Sequence, residues 1–300
     1  MAREQTQSAT AGDSPFQLDS DSAYTSWRNN KLAVYPSHIH ELIVEIDDPT
    51  HLSEPEILAI RSALQRANLV IYKCKSTNVD KQAIRELGRQ FGLLSLDANI
   101  CADEDSITSL RAIEKTPARG YIPYTNKRLS WHTDGYYNPM DRQIRAIIMH
   151  CVSPAAQGGE NMYLDHEMLY LQLRDENPDY VAALMHPRAM SIPPNVDEGQ
   201  EIRGETVGPV FSLDADGHLH LRYSARMRNI HWRDDPVTEQ ARSRITELLN
   251  DSPYIMRYRL NANEGVISNN VLHNRTAFED DAHQKRLLYR ARYYERVRGT

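Results

Sequence analysis

The chain has 300 residues, enough for one large domain or two small ones and for a core that takes about 75% of the unfolded surface out of water. With 35 Lys and Arg against 41 Asp and Glu the formal net charge is -6, which excludes the broad basic field needed for non-specific binding to nucleic acid. Hydrophobic residues make up 40%, mean hydropathy is -0.62, and no apolar run approaches the roughly 18 residues of a bilayer span, so no membrane partner is expected.

Residues 1–14 are small and polar without an apolar period, so they are expected to form a loose, disordered tail. Ser53-Glu54-Pro55-Glu56 opens a run with Ile57, Ile60, Leu64 and Ala67 at helical spacing, acids and a proline marking the start of a helix. Asn68 to Tyr72 reads as a buried strand, and Asp80 to Phe91 as a second helix with Ile84, Leu87 and Phe91 on one face.

From about residue 106 the character changes. ITSLRAI, RQIRAIIMHCV, PVFSLD, HLHLRYS, YIMRYRL, GVISNNVLH and RLLYRARYY are short β-rich segments separated by Pro, Gly, Asn and Asp. Asp214 to Gly217 supplies a hairpin turn, while Asp165 to Asn177 and Val237 to Asn250 read as helical insertions. The expectation is a mostly β fold with flanking helices, a sandwich or barrel, in one domain over residues 15–300 with an N-terminal helical flank. Spacing does not choose between a jelly roll and other β architectures. Cys74, Cys101 and Cys151 form neither an even set nor a CxxC pair, and the first residues lack the order of a secretory signal, so a reducing, cytoplasmic setting is expected. A homo-oligomer is left open.

Trp131-His132-Thr133-Asp134-Gly135-Tyr136-Tyr137 is the most informative stretch. If it starts extended, His132 and Asp134 project to one side and offer a metal an imidazole and a carboxylate. A second His would complete the two-His, one-carboxylate set of Fe(II) sites, which leaves positions open for O2 and a chelating co-substrate. The run Gly265 to Phe278 carries such a residue, His273, and is read as one β-like stretch up to it. Arg286, Leu288 and Arg290 then share a strand face, so two guanidinium forks can enter the same cavity. A dicarboxylate that chelates the metal at one end and meets an Arg at the other would use all these groups, and 2-oxoglutarate is the obvious candidate.

The ordered set WHTDGYYNP, AAQGGENMYLD, NNVLHNRTAF and RLLYRARYY resembles the Fe(II)/2-oxoglutarate-dependent taurine dioxygenase (TauD/TfdA-like) family over roughly residues 55–296. The resemblance implies a double-stranded β-helix (jelly roll) with metal ligands His132, Asp134 and His273. It implies also that Arg286 holds the distal carboxylate of 2-oxoglutarate and that Arg290 lies near the metal, touching co-substrate or primary substrate. The family's Gly-Gly-Asp-Thr pattern stands here as Gly158-Gly159-Glu160-Asn161, so the Asn161 amide replaces the usual hydroxyl near the co-substrate. Asp134 favours hydroxylation over halogenation, because halogenating relatives lack the carboxylate.

Other features carry two readings each. Tyr136 and Asn270 are placed on the substrate side, against ordinary packing. Arg222 and Arg226 either meet a substrate anion or lie on a solvated sheet face. His38-x-His40 and His218-x-His220 are same-face pairs if extended, and are better read as hydrogen-bonded or surface histidines. Asp103 to Asp105 and Glu279 to Asp281 are read as exposed loop charge, and Arg128, Arg142 and Arg145 leave substrate charge open. The expected partner is a small polar or carboxylate-bearing molecule. Two rivals share the same ligands: a metal-binding jelly-roll sensor without turnover, and a zinc hydrolase with a metal-bound water.

Overall fold

Helix starts in this protein are written in short side chains that cap backbone N–H groups. The computed structural model describes residues 14–98, 103, 105–112, 122–197, 200–226 and 230–300. Its α-helices are α1 (Asp21–Val34), α2 (Glu54–Ala67), α3 (Lys81–Gln90), α4 (His166–Glu176), α5 (Pro178–Leu184) and α6 (Pro236–Asp251). The carboxylate of Glu56 accepts from the Ser53 N–H at 2.6 Å to start α2, and Asn68 ends it in the left-handed region at φ 53°. Asp80, Asp165 and Asp235 accept from backbone N–H groups in the first turns of α3, α4 and α6.

The sequence reading finds α2, α3, α4 and α6 but not α1 or α5. Helix α1 has no aliphatic stripe: Tyr24 and Trp27 pack on Phe16 and Tyr170, while buried Lys31 lies 2.7 Å from Asp165 and 2.5 Å from Glu167. An aromatic and ionic dock leaves little apolar period to read. Asn177 ends α4 and caps α5 through the Asp179 N–H at 3.0 Å, so the expected insertion stops where predicted and restarts at once. Among the described residues the α-helices hold about as many residues as the strands, a larger helical share than a mostly β chain. The expected tail lies outside the described residues except for Ser14, whose hydroxyl donates to Gly217 O at 2.9 Å.

Ten strands build two main sheets: β1 (Ile43–Ile46), β2 (Leu69–Cys74), β3 (Thr108–Leu110), β4 (Leu129–His132), β5 (Ala146–Ser153), β6 (Asn161–Leu164), β7 (Met256–Tyr258), β8 (Glu264–Ser268), β9 (Leu272–Arg275) and β10 (Leu287–Tyr293). The larger sheet has the order β1-β2-β8-β5-β10-β3, mixed because β1 and β2 are parallel; the smaller is β7-β6-β9-β4. A hairpin follows the turn at Asp214 to Gly217, as expected, joining 211–213 to 219–221.

One expectation is corrected. GVISNNVLH is not a single run: β8 belongs to the larger sheet and β9 to the smaller, with Asn269 and Asn270 between them and Asn270 at φ 53°. A left-handed residue turns the chain out of one sheet and into the other.

Strand alternation sorts the faces. One core lies where α2 and α3 cover the larger sheet, with Ile60, Leu64, Leu87, Phe91, Val70 and Ile148. A second lies where α1, α4 and α6 cover the smaller sheet, with Trp131, Leu164, Leu272, Tyr170 and Leu248. His132, Asn161, Tyr163 and His273 alternate to the opposite face of the smaller sheet, and Arg286 and Arg290 reach toward them from the larger one.

Candidate active site

His132 ends β4 and stands directly across the ladder from His273 in β9, with ring centroids 4.3 Å apart. Asp134 follows two residues later, past the strand end. Thr133 between them is locked to Tyr223 by a backbone bond of 2.9 Å and by Tyr223 N–H donating to its hydroxyl at 3.1 Å. Ligand atoms of His132, Asp134 and His273 all lie within 4.8 Å of one another, and all three residues are buried.

The tautomers follow from geometry. Nδ1 of His132 is 2.9 Å from Ser130 O, and Nδ1 of His273 is 2.9 Å from Val271 O. A carbonyl only accepts, so both Nδ1 atoms carry a proton, which leaves Nε2 of each ring as the nitrogen that can meet a metal. His132 Nε2 is 3.5 Å from Asp134 Oδ1, and Asp134 Oδ2 is met by an ion-pair contact from Arg290 that is not aligned as a hydrogen bond. Burial alone would raise the Asp134 carboxyl, yet Arg290, with His132, Arg292 and His273, holds it well below the usual carboxylate range. Burial, reinforced by His132, pulls His273 down to about 4 and keeps its imidazole neutral. Two imidazoles and one ionised carboxylate suit a divalent ion such as iron.

Arg286 is 5% exposed, and its Nη1 has no hydrogen-bond partner. It shares a cavity with Asn161, Gly158, Gly159, Cys151, Leu260 and Leu288, none of them acidic. A buried guanidinium facing a cavity lined without an acid fits the distal carboxylate of a 2-oxo diacid, Asp280 being spent through Oδ1 on the Arg286 backbone N–H. One Asn161 amide hydrogen goes to Asn274 O at 3.1 Å, leaving the other free to donate. Gly158 is required by contact as well as by φ +69°, because a Cβ there would sit 2.2 Å from Ala277 O.

Arg290 lies beside the candidate ligands, its Nη1 3.2 Å from either Asp134 oxygen. Tyr136 is half-buried on the loop after Asp134, its ring 5.3 Å from that of Tyr137.

Two substrate-side expectations do not hold as made. Arg222 is 1% exposed, and its guanidinium donates to the backbone carbonyls of Pro209, Gly208, Met190 and Tyr136, so it pins loops instead of facing a cavity. Asn270 spends its amide on the backbone of Asp134 and Ile144. Arg226 is exposed.

His38 caps a short 3-10 helix that contains His40, so the pair is not extended, and His220 is buried instead of lying on the surface. Of the acidic runs, Asp280 and Asp281 accept from the backbone N–H groups of Arg286, His283 and Gln284. Glu104 lies outside the described residues.

Sequence reasoning misses Arg292, although its offset of two from Arg290 puts it on the same strand face. It is 3% exposed, pairs with buried Asp97 and donates to the Tyr137 hydroxyl at 3.0 Å. Arg275, two residues after His273, is a second such residue. It lies 3% exposed, donates to Thr125 O and Lys127 O, and falls to about 9 through burial and the neighbouring Arg286.

Paired sheets enclosing two imidazoles, a carboxylate and a buried arginine define a non-haem iron oxygenase that uses a 2-oxo acid. The family described as "Taurine catabolism dioxygenase TauD, TfdA family" matches residues 33–292, and the chain belongs to it. Among curated proteins, a uridine-5'-phosphate dioxygenase from Streptomyces sp is 29% identical over 63% of this chain and 70% of its own length. One from Amycolatopsis sp is 28% identical over 57% of this chain and 62% of its own length. Among solved structures, an asparagine oxygenase bound to Fe(II), 3-hydroxyasparagine and succinate superposes with a TM-score of 0.57 at 13% identity, covering 96% of this chain and 86% of that one. The protein is a 2-oxoglutarate-dependent non-haem iron dioxygenase, with Fe(II) as metal and 2-oxoglutarate and O2 as co-substrates. The zinc-hydrolase and ligand-sensor alternatives are set aside accordingly. No helix among the described residues is long and apolar enough to cross a membrane.

Proposed function

We propose that this dioxygenase couples oxidative decarboxylation of 2-oxoglutarate to hydroxylation of a small anionic molecule, within a jelly roll formed by the two main sheets. His132, Asp134 and His273 hold the iron, Arg286 and Asn161 take the distal carboxylate of 2-oxoglutarate, and Arg290 faces the metal side of the cavity. The carrying observation is Arg286, buried with no acid beside it in the cavity it shares with Asn161. When bound, iron supplies the electron chemistry that activates O2 alongside the 2-oxo acid.

The chain's own groups supply position. The carbonyls of Ser130 and Val271 fix both imidazoles, and Arg290 holds the Asp134 carboxylate ionised. Burial of all three candidate ligands keeps bulk water away.

An anionic substrate is supported by the curated relatives, whose names carry a phosphate ester. The buried arginines do not add to that, since Arg222 and Arg275 are spent on backbone carbonyls, Arg290 on Asp134 and Arg292 on Asp97. The names of the curated relatives make uridine 5'-phosphate the first compound to try, alongside carboxylates. A cytoplasmic setting accords with the free thiols of Cys74 and Cys151. Residues 15–300 are read as one domain, since the C-terminal Arg296 bonds Asn68 at the end of α2.

The test is an anaerobic titration with Fe(II) and 2-oxoglutarate, following the visible charge-transfer band. The band should vanish in His132→Ala and need at least about tenfold more 2-oxoglutarate in Arg286→Ala. Succinate release should then rise with uridine 5'-phosphate or a carboxylate and not with neutral uridine. A band indifferent to Arg286→Ala removes the co-substrate clamp, and release stimulated only by neutral compounds removes the anionic substrate.

A further inference from the structure

A single side-chain amide closes both ends of the loop that follows the metal tripeptide. Asn270 Oδ1 accepts the Asp134 N–H at 2.8 Å, while Nδ2 donates to Asp134 O at 2.9 Å and to Ile144 O at 2.6 Å. The residue is 1% exposed, and both amide hydrogens are used. The loop ends are packed tightly, since a Cβ on Gly135 would lie 2.4 Å from Ile144 Cγ1.

Asn270 also forms the left-handed turn from β8 into β9, three residues before His273. It therefore ties the backbone of one candidate ligand to the strand that carries another. The ladder already sets His132 opposite His273, but Asp134 lies beyond the end of β4, where no ladder bond holds it. Tyr136 and Tyr137 are on the loop so closed.

We propose that Asn270 is a positioning residue: its amide sets Asp134 against His273 and holds the 134–144 loop shut over the site. The inference rests on His132, Asp134 and His273 being the metal ligands. Losing a group that orients a metal ligand usually weakens the metal by roughly 10- to 100-fold.

The test uses the full chain with Co(II), titrated by its visible absorption without 2-oxoglutarate or substrate. Asn270→Gly keeps the left-handed turn and removes only the amide. Asn270→Asp keeps size and acceptor but loses both donors, and carries the test should the glycine variant not fold. Asn269→Gly is the matched control. Its amide donates to Asn68 Oδ1 at 3.0 Å and Thr300 Oγ1 at 2.9 Å, away from the loop.

Both Asn270 variants should bind Co(II) at least about tenfold more weakly and be cut faster by protease within 135–143. Asn269→Gly should lower Tm while keeping the parent's Co(II) affinity. A folded Asn270→Gly with parent affinity, or an equal loss in Asn269→Gly, overturns the proposal while the ligand reading stands. A parent spectrum that is missing, or unchanged in His132→Ala, overturns the ligand reading and this proposal with it.

Discussion

Arg290 reaches both carboxylate oxygens of Asp134 from a single Nη1, at 3.2 Å each, with both residues buried. A buried carboxylate is tolerable only beside positive charge, which this arginine or a bound divalent ion can supply. In Arg290→Leu the metal-free protein should therefore lose about 3 kcal/mol, while the metal-loaded protein loses less. Thermal unfolding with chelator and with Mn(II) checks this. A metal-induced rise in Tm no larger than the parent's would refute it.

The two glycines beside Arg286 are not equivalent. Gly158→Ala brings a methyl within 2.2 Å of Ala277 O, whereas a Cβ on Gly159 meets nothing nearer than 3.6 Å and pays only for φ +74°. Gly159→Ala should cost about 1–2 kcal/mol. Gly158→Ala should cost more and raise the 2-oxoglutarate requirement, because the displaced strand carries the cavity wall. Denaturant melts with co-substrate titrations would show the order, and equal losses would contradict it.

Arg222 is structural by its contacts, all four of which are to backbone carbonyls. Burial without an acid brings its pKa down to about 10. Arg222→Met should lower stability by about 3 kcal/mol and leave KM for both substrates within about twofold. A stable variant with a raised substrate KM would return Arg222 to the binding site.

Stability should fall with acidification well above the carboxylate range. Burial pulls His150 down to about 4, while its unfolded value is near 6.5. Between these values the unfolded chain binds a proton that the folded chain does not, so stability is lost as pH falls, by up to about 1.4 kcal/mol per pH unit. His220, lowered to about 3 chiefly by burial, acts in the same sense. Burial would raise Glu167, but Lys31 overrides it and holds the group below the usual carboxylate range, extending the loss from pH 4.5 downward. Urea midpoints of the metal-free protein from pH 7.5 to 4.5 should show a shallower slope in His150→Gln. An unchanged slope there would mean that His150 does not titrate in this window.

Much of the candidate site was legible because its chemistry is local in the chain. His132 and Asp134 are two residues apart and Arg286 and Arg290 four, at the end and start of strands, so alternation read from the spacing puts each pair near one side although Asp134 and Arg286 lie just outside the strands. Helices with caps and apolar periods were legible for the same reason. Helix α1 was not, because what stabilises it is Lys31 meeting Asp165 and Glu167, over 130 residues away.

Residue types and their order along the chain already say which groups can bind iron and a diacid. What each polar side chain is spent on depends on the folded neighbours it meets. Asn270 and Arg222 are plausible substrate contacts by position alone, but folding surrounds them with backbone carbonyls that need donors. Buried polar groups must be paired, and that pairing turns both residues into braces. Arg286 keeps Nη1 unpartnered for the opposite reason: the cavity it enters is lined without an acid, and the nearby Asp280 spends Oδ1 on the Arg286 backbone N–H.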